Sequence, residues 1–204
     1  WHGDHTGGNV VFGADSIIIA HANVRTRLST PNSGGREFKP LAPVGLPMIT
    51  FNDGLSVHFN GEEVRAVHYP AGHTDGDTVL FFTKSNVVHL GDNFFAGRFP
   101  FVDLNSGGSV EGLAKNIGEL IKTIPADAKL IPGHGPISTL DDLKTYHQML
   151  VETTTSVREK MKTKSLDDIK KEGFPEKYKE WGSGFIKTEA WIEAIYKSYS
   201  PMKK

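Results

Sequence analysis

The 204-residue sequence contains no cysteine, which excludes disulfides, a thiolate nucleophile and any zinc site built on sulfur. It also lacks a charge excess. The 23 Lys and Arg stand against 24 Asp and Glu, a formal net charge of −1, so the basic footprint of a nucleic-acid binder is missing. No uninterrupted apolar run approaches the roughly 20 residues of a membrane helix, and no signal-peptide core is visible, so no membrane partner is expected. Neither a GxSxG elbow nor a GxxxxGK phosphate loop occurs, and there are no repeats. What stands in excess is nine histidines and 22 glycines, in a chain whose 38% hydrophobic and 23% charged residues match an ordinary soluble globular protein. Any metal must therefore sit on histidine and carboxylate.

Glycine and proline divide the chain into elements. Ser16 to Ala20 is a short β-branched apolar run that predicts a buried parallel strand, and a helix of about two turns is expected over Ala22 to Ser29. Thr30 to Pro47 holds four prolines and three glycines and reads as a long surface loop of the kind that serves as a lid. From Met48 to Asp92 the period switches to two, and the runs MITF, LSVHF, VRAVHY, TVLFF and VVHL predict an antiparallel meander. A helix follows from Val110, a short strand over Lys129 to Pro132, and a long amphipathic helix from Leu140 to Met161 opened by a Thr139/Asp142 capping pattern. The polar tail predicts short helices, the last with Trp191, Ile192, Ile195, Tyr196 and Tyr199 on one face. The expected organisation is one domain over residues 1–163 with a helical extension, 164–204, packed on it.

Four polar clusters stand at strand ends or in glycine-rich turns: HGDH at His2 to His5, AGHTDGD around His73, HLGDN around Asp92, and PGHG around His134. Each puts a metal-capable side chain beside glycine, and loops at one sheet edge can bring such residues together from distant positions. One such histidine would be an ordinary loop residue. Four coincident clusters point to a metal centre.

The order HxDH, GHT, GD, GHG resembles the metallo-β-lactamase superfamily of hydrolases, over Trp1 to about Ser138. The resemblance implies an α+β fold, an αββα sandwich lacking its first N-terminal strands, with C-terminal helices. It implies that His2 and His73 bind a first metal, that Asp4, His5 and His134 bind a second, and that Asp92 bridges them, with catalytic roles for Asp4 and Asp92. The donor set favours Zn²⁺, two per full-length protein, and also admits iron or manganese. The implied reaction is attack by a hydroxide bridging two zinc ions on an ester, thioester, lactone, lactam or phosphodiester bond of a small-molecule substrate. Aspartate at the bridging position resembles the glyoxalase II-like thioesterases, lactonases and phosphodiesterases more than lactamases with Cys or Ser there. Two alternatives are an iron-dependent sulfur dioxygenase-like enzyme on the same scaffold, and a catalytically impaired fragment.

Other residues carry weaker signals. His21, His58, His68, His89 and His147 are assigned to strand and helix faces. Asp75 and Asp77 either orient ligands from behind or merely close a solvated turn. In NFFAGRFPFVD, Phe94, Phe95, Phe99 and Phe101 either wall a substrate cleft or pack in the core, and Arg98 either binds a substrate anion or forms a surface ion pair. The chain opens at Trp1 inside its densest polar cluster, with no strand before it. The family's first histidine would precede Trp1, so a truncated or processed chain is expected, with weakened metal binding, poor hydrolysis and self-association through the face that missing strands would cover.

Overall fold

The computed structural model describes residues 1–200; the last four residues of the predicted extension lie outside the described residues. The core is a five-stranded sheet in chain order: β3 (Gly54–Phe59), β4 (Glu62–His68), β5 (Thr78–Phe82), β6 (Val87–Phe95) and β7 (Lys129–His134). The first four strands form the expected antiparallel meander, and β7 joins β6 in parallel. A parallel partner needs a crossover, and α4 (Val110–Thr123) supplies it. Helices α5 (Leu140–Lys160), α6 (Leu166–Glu172) and α7 (Thr188–Tyr199) complete the chain.

Side-chain alternation gives this sheet two unlike faces. Val79, Phe81, Val88 and Leu90 point to one face and join Leu113, Ile117, Leu143, Tyr146, Trp191 and Ile195 in a single buried cluster. The alternate positions, Ala66, His68 and Leu80, point to the other. There His68 stacks on His21, ring centroids 3.8 Å apart, and so fastens a second, smaller sheet. That sheet is β1 (Ile19–His21) paired in parallel with β2 (Ile49–Phe51), and α3 (Ala22–Ser29) packs on it. The layers run helices, sheet, sheet, helix, in agreement with the expected αββα order. The capping box is present at α5, where the Thr139 side chain accepts from the Asp142 N–H and the Asp142 carboxylate accepts from the Thr139 N–H.

Two expectations are corrected. The Ser16–Ala20 run is not a buried strand: β1 starts at Ile19, and Ile17, in the stretch before it, is 62% exposed. The MITF run does not enter the meander. Its strand β2 pairs with β1, and the Asn52–Gly54 turn carries the chain from one sheet to the other instead of closing a hairpin. The Thr30–Pro47 loop is partly ordered into 3₁₀ turns at Ser33–Gly35 and Pro43–Gly45. No helix among the described residues is long and apolar enough to cross a membrane.

Candidate metal centre

The opening cluster folds so that its ligands part. His2 is extended, at φ −67° and ψ 155°, and its carbonyl accepts from the N–H groups of His5 and Thr6. The short helix α1 (Gly3–Thr6) then begins, so Asp4 and His5 project from a helical turn while His2 points back to the neighbouring loop. His73 sits in the loop before β5, held by Asp77, which accepts from the Thr74 N–H and hydroxyl. Asp92 lies in β6 where the register with β7 is irregular between Gly91 and Phe95, and such bulges re-aim side chains. His134 ends β7. Gly133 beside it has no alternative: a Cβ there would lie 2.0 Å from Asp92 Oδ1.

All six side chains named from the sequence converge. One ligand atom from each of His2, His73 and Asp92 lies within 4.8 Å of the others, and the same holds for Asp4, His5, Asp92 and His134. Asp92 belongs to both groups. Its Oδ2 is 3.1 Å from His5 Nε2 and 3.2 Å from His73 Nε2, while Oδ1 is buried without a hydrogen-bond partner and stands 3.5 Å from His134 Nε2. Burial by itself would push the Asp92 carboxyl up, but the hydrogen bond from His5, with the electrostatic pull of the imidazoles around it, outweighs it and holds it below the ordinary value. The same contact raises His5.

The orientation of the two buried rings bears on what this group can hold. Burial drives His73 down to about 4, so its ring is neutral at physiological pH. The His73 Nδ1–H donates to the Phe101 carbonyl at 2.7 Å, which leaves Nε2 as a bare lone pair. His2 Nε2 is 2.8 Å from Asp103 Oδ2, which turns the other ring nitrogen, Nδ1, to within 2.9 Å of His73 Nε2. Two ring nitrogens and a carboxylate oxygen thus face one another, and a cation among them satisfies all three. The residues fit a divalent metal.

Asp103 was not singled out from the sequence. It is buried, accepts from Ser106 at 2.8 Å as well as from His2, and pairs with Arg36 at 3.3 Å. Of the two flanking aspartates, Asp77 is buried under His73 and its carboxyl is pushed up to about 6 by that burial. Asp75 instead forms a two-pronged ion pair with Arg27, at 2.6 and 2.8 Å, and orients no ligand. His21 is buried in its stack with His68 as a structural histidine.

A cleft of about 570 Å³ opens beside the centre, floored by His2, Asp4, Asp92 and His134. Phe95, Phe99 and Phe101 wall it, and Phe95 stacks on the His134 ring at 4.9 Å. Phe94 does not: it is fully buried against Tyr146. Arg98 lines the cleft as well, and so do Arg36, Phe185 and Ile186, which sequence patterning left unmarked because they come from remote loops.

Over residues 1–169 the sequence matches the family profile described as the metallo-beta-lactamase superfamily. The chain belongs to this superfamily. Among solved structures, a metallo-beta-lactamase from Pontibacter korlensis superposes with a TM-score of 0.58 at 16% identity, covering 74% of this chain and 65% of that one. The BLEG-1 B3 metallo-beta-lactamase does so with a TM-score of 0.56 at 21% identity, covering 71% and 70%. At such identities these likenesses establish the superfamily fold. In sequence, the chain is 28% identical over 115 residues to an uncharacterised protein of Aquifex aeolicus (strain VF5), covering 56% of this chain and 54% of that protein. It is 25% identical over 146 residues to the lactamase-like protein aptB of Emericella nidulans, covering 70% and 38%. The chain thus spans about half the length, or less, of these curated relatives. Superfamily membership and the converging His and Asp side chains describe a scaffold of the metal-dependent hydrolase kind.

Proposed function

We propose that the chain carries a binuclear metallohydrolase centre, with His2, His73 and Asp92 holding one divalent ion and Asp4, His5, His134 and Asp92 the other. The observation that carries this reading is Asp92: a buried, ionised carboxylate with an unpartnered oxygen, set between two groups of imidazoles. Zn²⁺ suits four imidazoles and two carboxylates, and the same donors accept iron or manganese. Bound ions of this kind supply Lewis acidity toward a carbonyl or phosphoryl oxygen and lower the pKa of a water toward neutrality.

The chain's own groups do the rest. Asp103 and the Phe101 carbonyl hold the His2 and His73 rings so that their free nitrogens stay aimed at Asp92. Asp4 is the half-exposed carboxylate of the cleft floor, with Oδ2 3.4 Å from both His5 and His134, and is placed to accept a proton there. The phenyl rings of Phe95, Phe99 and Phe101 give the bond under attack an apolar flank. That bond is an ester, thioester, lactone, lactam or phosphodiester. Metal analysis together with a substrate panel tests the reading. The expected result is two divalent ions per chain, with metal and turnover both lost in Asp92→Ala. Wild-type rates from rigorously metal-free Asp92→Ala would overturn it, and iron in place of zinc would favour the dioxygenase-like alternative.

A further inference from the structure

Two arginines reach the cleft, and they differ in what holds them. Arg36 is engaged: its guanidinium is 3.3 Å from Asp103 Oδ2 and 4.6 Å above the Trp1 ring. Arg98 is half-buried, yet the arginine ion pairs among the described residues run Arg27–Asp75 and Arg36–Asp103, and none reaches it. Its only hydrogen bond there is from its backbone N–H, to the Phe95 carbonyl. The surface ion pair offered by the sequence as the plainer account of Arg98 is therefore absent among the described residues. A half-buried guanidinium on an apolar wall, without a counter-charge, is a position that an anion completes.

Two neighbours reinforce this. A Cβ on Gly184 would lie 3.3 Å from Arg98 Cβ and 3.4 Å from Cδ, so glycine there lets the arginine stem lie against the chain. Phe185 follows. It lines the cleft yet is 88% exposed, a large ring standing in water until a ligand covers it. A cleft of this volume takes a single small organic molecule.

We infer that the substrate is an anionic amphiphile: a carboxylate taken by Arg98, on an aromatic or branched apolar body that packs against Phe95, Phe99, Phe101 and Phe185. The scissile group then lies over Asp4, Asp92 and His134. The reaction part of this inference rests on the metallohydrolase reading; the binding part does not. Arg98 sets specificity and takes no part in bond cleavage.

The test has a kinetic arm and a binding arm. In the first, zinc-loaded protein is given the mono-4-nitrophenyl ester of 3-phenylglutaric acid, and the same ester with its free carboxylate capped as a methyl ester. Arg98→Met is expected to lower kcat/KM for the anionic ester by about 10- to 100-fold, chiefly through KM, and to leave the capped ester within about threefold. Arg98→Lys should regain part of the loss, and Gly184→Val, which crowds the arginine, should blunt the preference without removing the charge. In the second arm, calorimetric titration compares 4-phenylbutanoate with 4-phenylbutanamide on wild type and Arg98→Met. The preference for the carboxylate is expected to shrink in the variant. Equal losses on charged and neutral ligands, or a charge preference that survives in Arg98→Met, would overturn the inference. If the Arg98-dependent binding preference holds while metal analysis finds no bound ion and neither these esters nor the substrate panel is cleaved, the hydrolase reading fails and the recognition of an anion stands.

Discussion

Asp92 and Asp103 are both buried carboxylates beside histidine, and they do different work. Asp92 takes a hydrogen bond from His5 and also faces the free Nε2 of His73, whereas Asp103 holds Nε2 of His2 and so decides which nitrogen is turned toward a metal. Burial pushes the Asp103 carboxyl up, but the hydrogen bonds from His2 and Ser106 and the charge of Arg36 outweigh it and keep it below its ordinary value. An asparagine there can turn its amide N–H toward His2 and favour the wrong tautomer. Asp103→Asn is therefore expected to cost about 10- to 100-fold in affinity at the His2/His73/Asp92 group while sparing the other group. Titration against a chelating dye reads both affinities, and equal losses at the two groups would contradict the assignment. This residue also marks where sequence reading stops. The six side chains of the centre could be picked out because they fall in four short glycine-containing clusters whose order resembles the superfamily's motifs. Asp103 lies 101 positions from its partner, and no spacing announces it. Asp75 errs the other way: it is two residues from His73, but the turn gives its carboxylate to Arg27.

The helices were legible because their signals are local. The expected bounds of α3 are those observed, and α5 starts at the capping box written in Thr139 and Asp142. Strand partners are a non-local choice, which is why local patterning places β2 in the meander although it pairs with β1. The contact that fastens that small sheet yields a pH prediction. His21 Nδ1 accepts the Asn23 N–H and caps α3, and its ring stacks on His68; burial first, and then the charge of His68, lower its pKa. Asp75, Asp53 and the Asn52 backbone act in the opposite direction and do not prevail. Because the folded value lies below the unfolded one, the stabilisation is complete above the ordinary histidine value of about 6.5 and fades as pH falls below it through the folded value. Melting temperature, measured in chelator, should fall between neutral pH and pH 5 more steeply for wild type than for His21→Asn, which keeps a capping side chain. Parallel slopes would show that His21 does not carry the effect.

The whole molecule is unevenly covered. The central sheet buries one face completely under α4, α5 and α7, while on the other face Leu80 and Phe82 are only half-buried. Outward of that face, the large exposed apolar side chains gather: Val10, Val11 and Phe12 of the short helix α2 (Asn9–Phe12), Ile17 and Ile19 near β1, and Val44, Met48 and Ile49 near β2. They are neighbours, since α2 packs on the Pro43–Gly45 turn and Ile19 pairs with Ile49. Among the described residues β1 and β2 pair only with each other, so each also presents an open edge of N–H and C=O groups. Soluble proteins seldom leave such a combination bare. A net charge of −1 offers little repulsion between copies. We propose that a second copy of this chain covers the patch. Sedimentation velocity over a concentration series should then show a dimer or larger species, and Phe12→Asp combined with Met48→Glu should return it to monomer. A wild-type chain that stays monomeric throughout, with these side chains open to solvent, would refute the proposal.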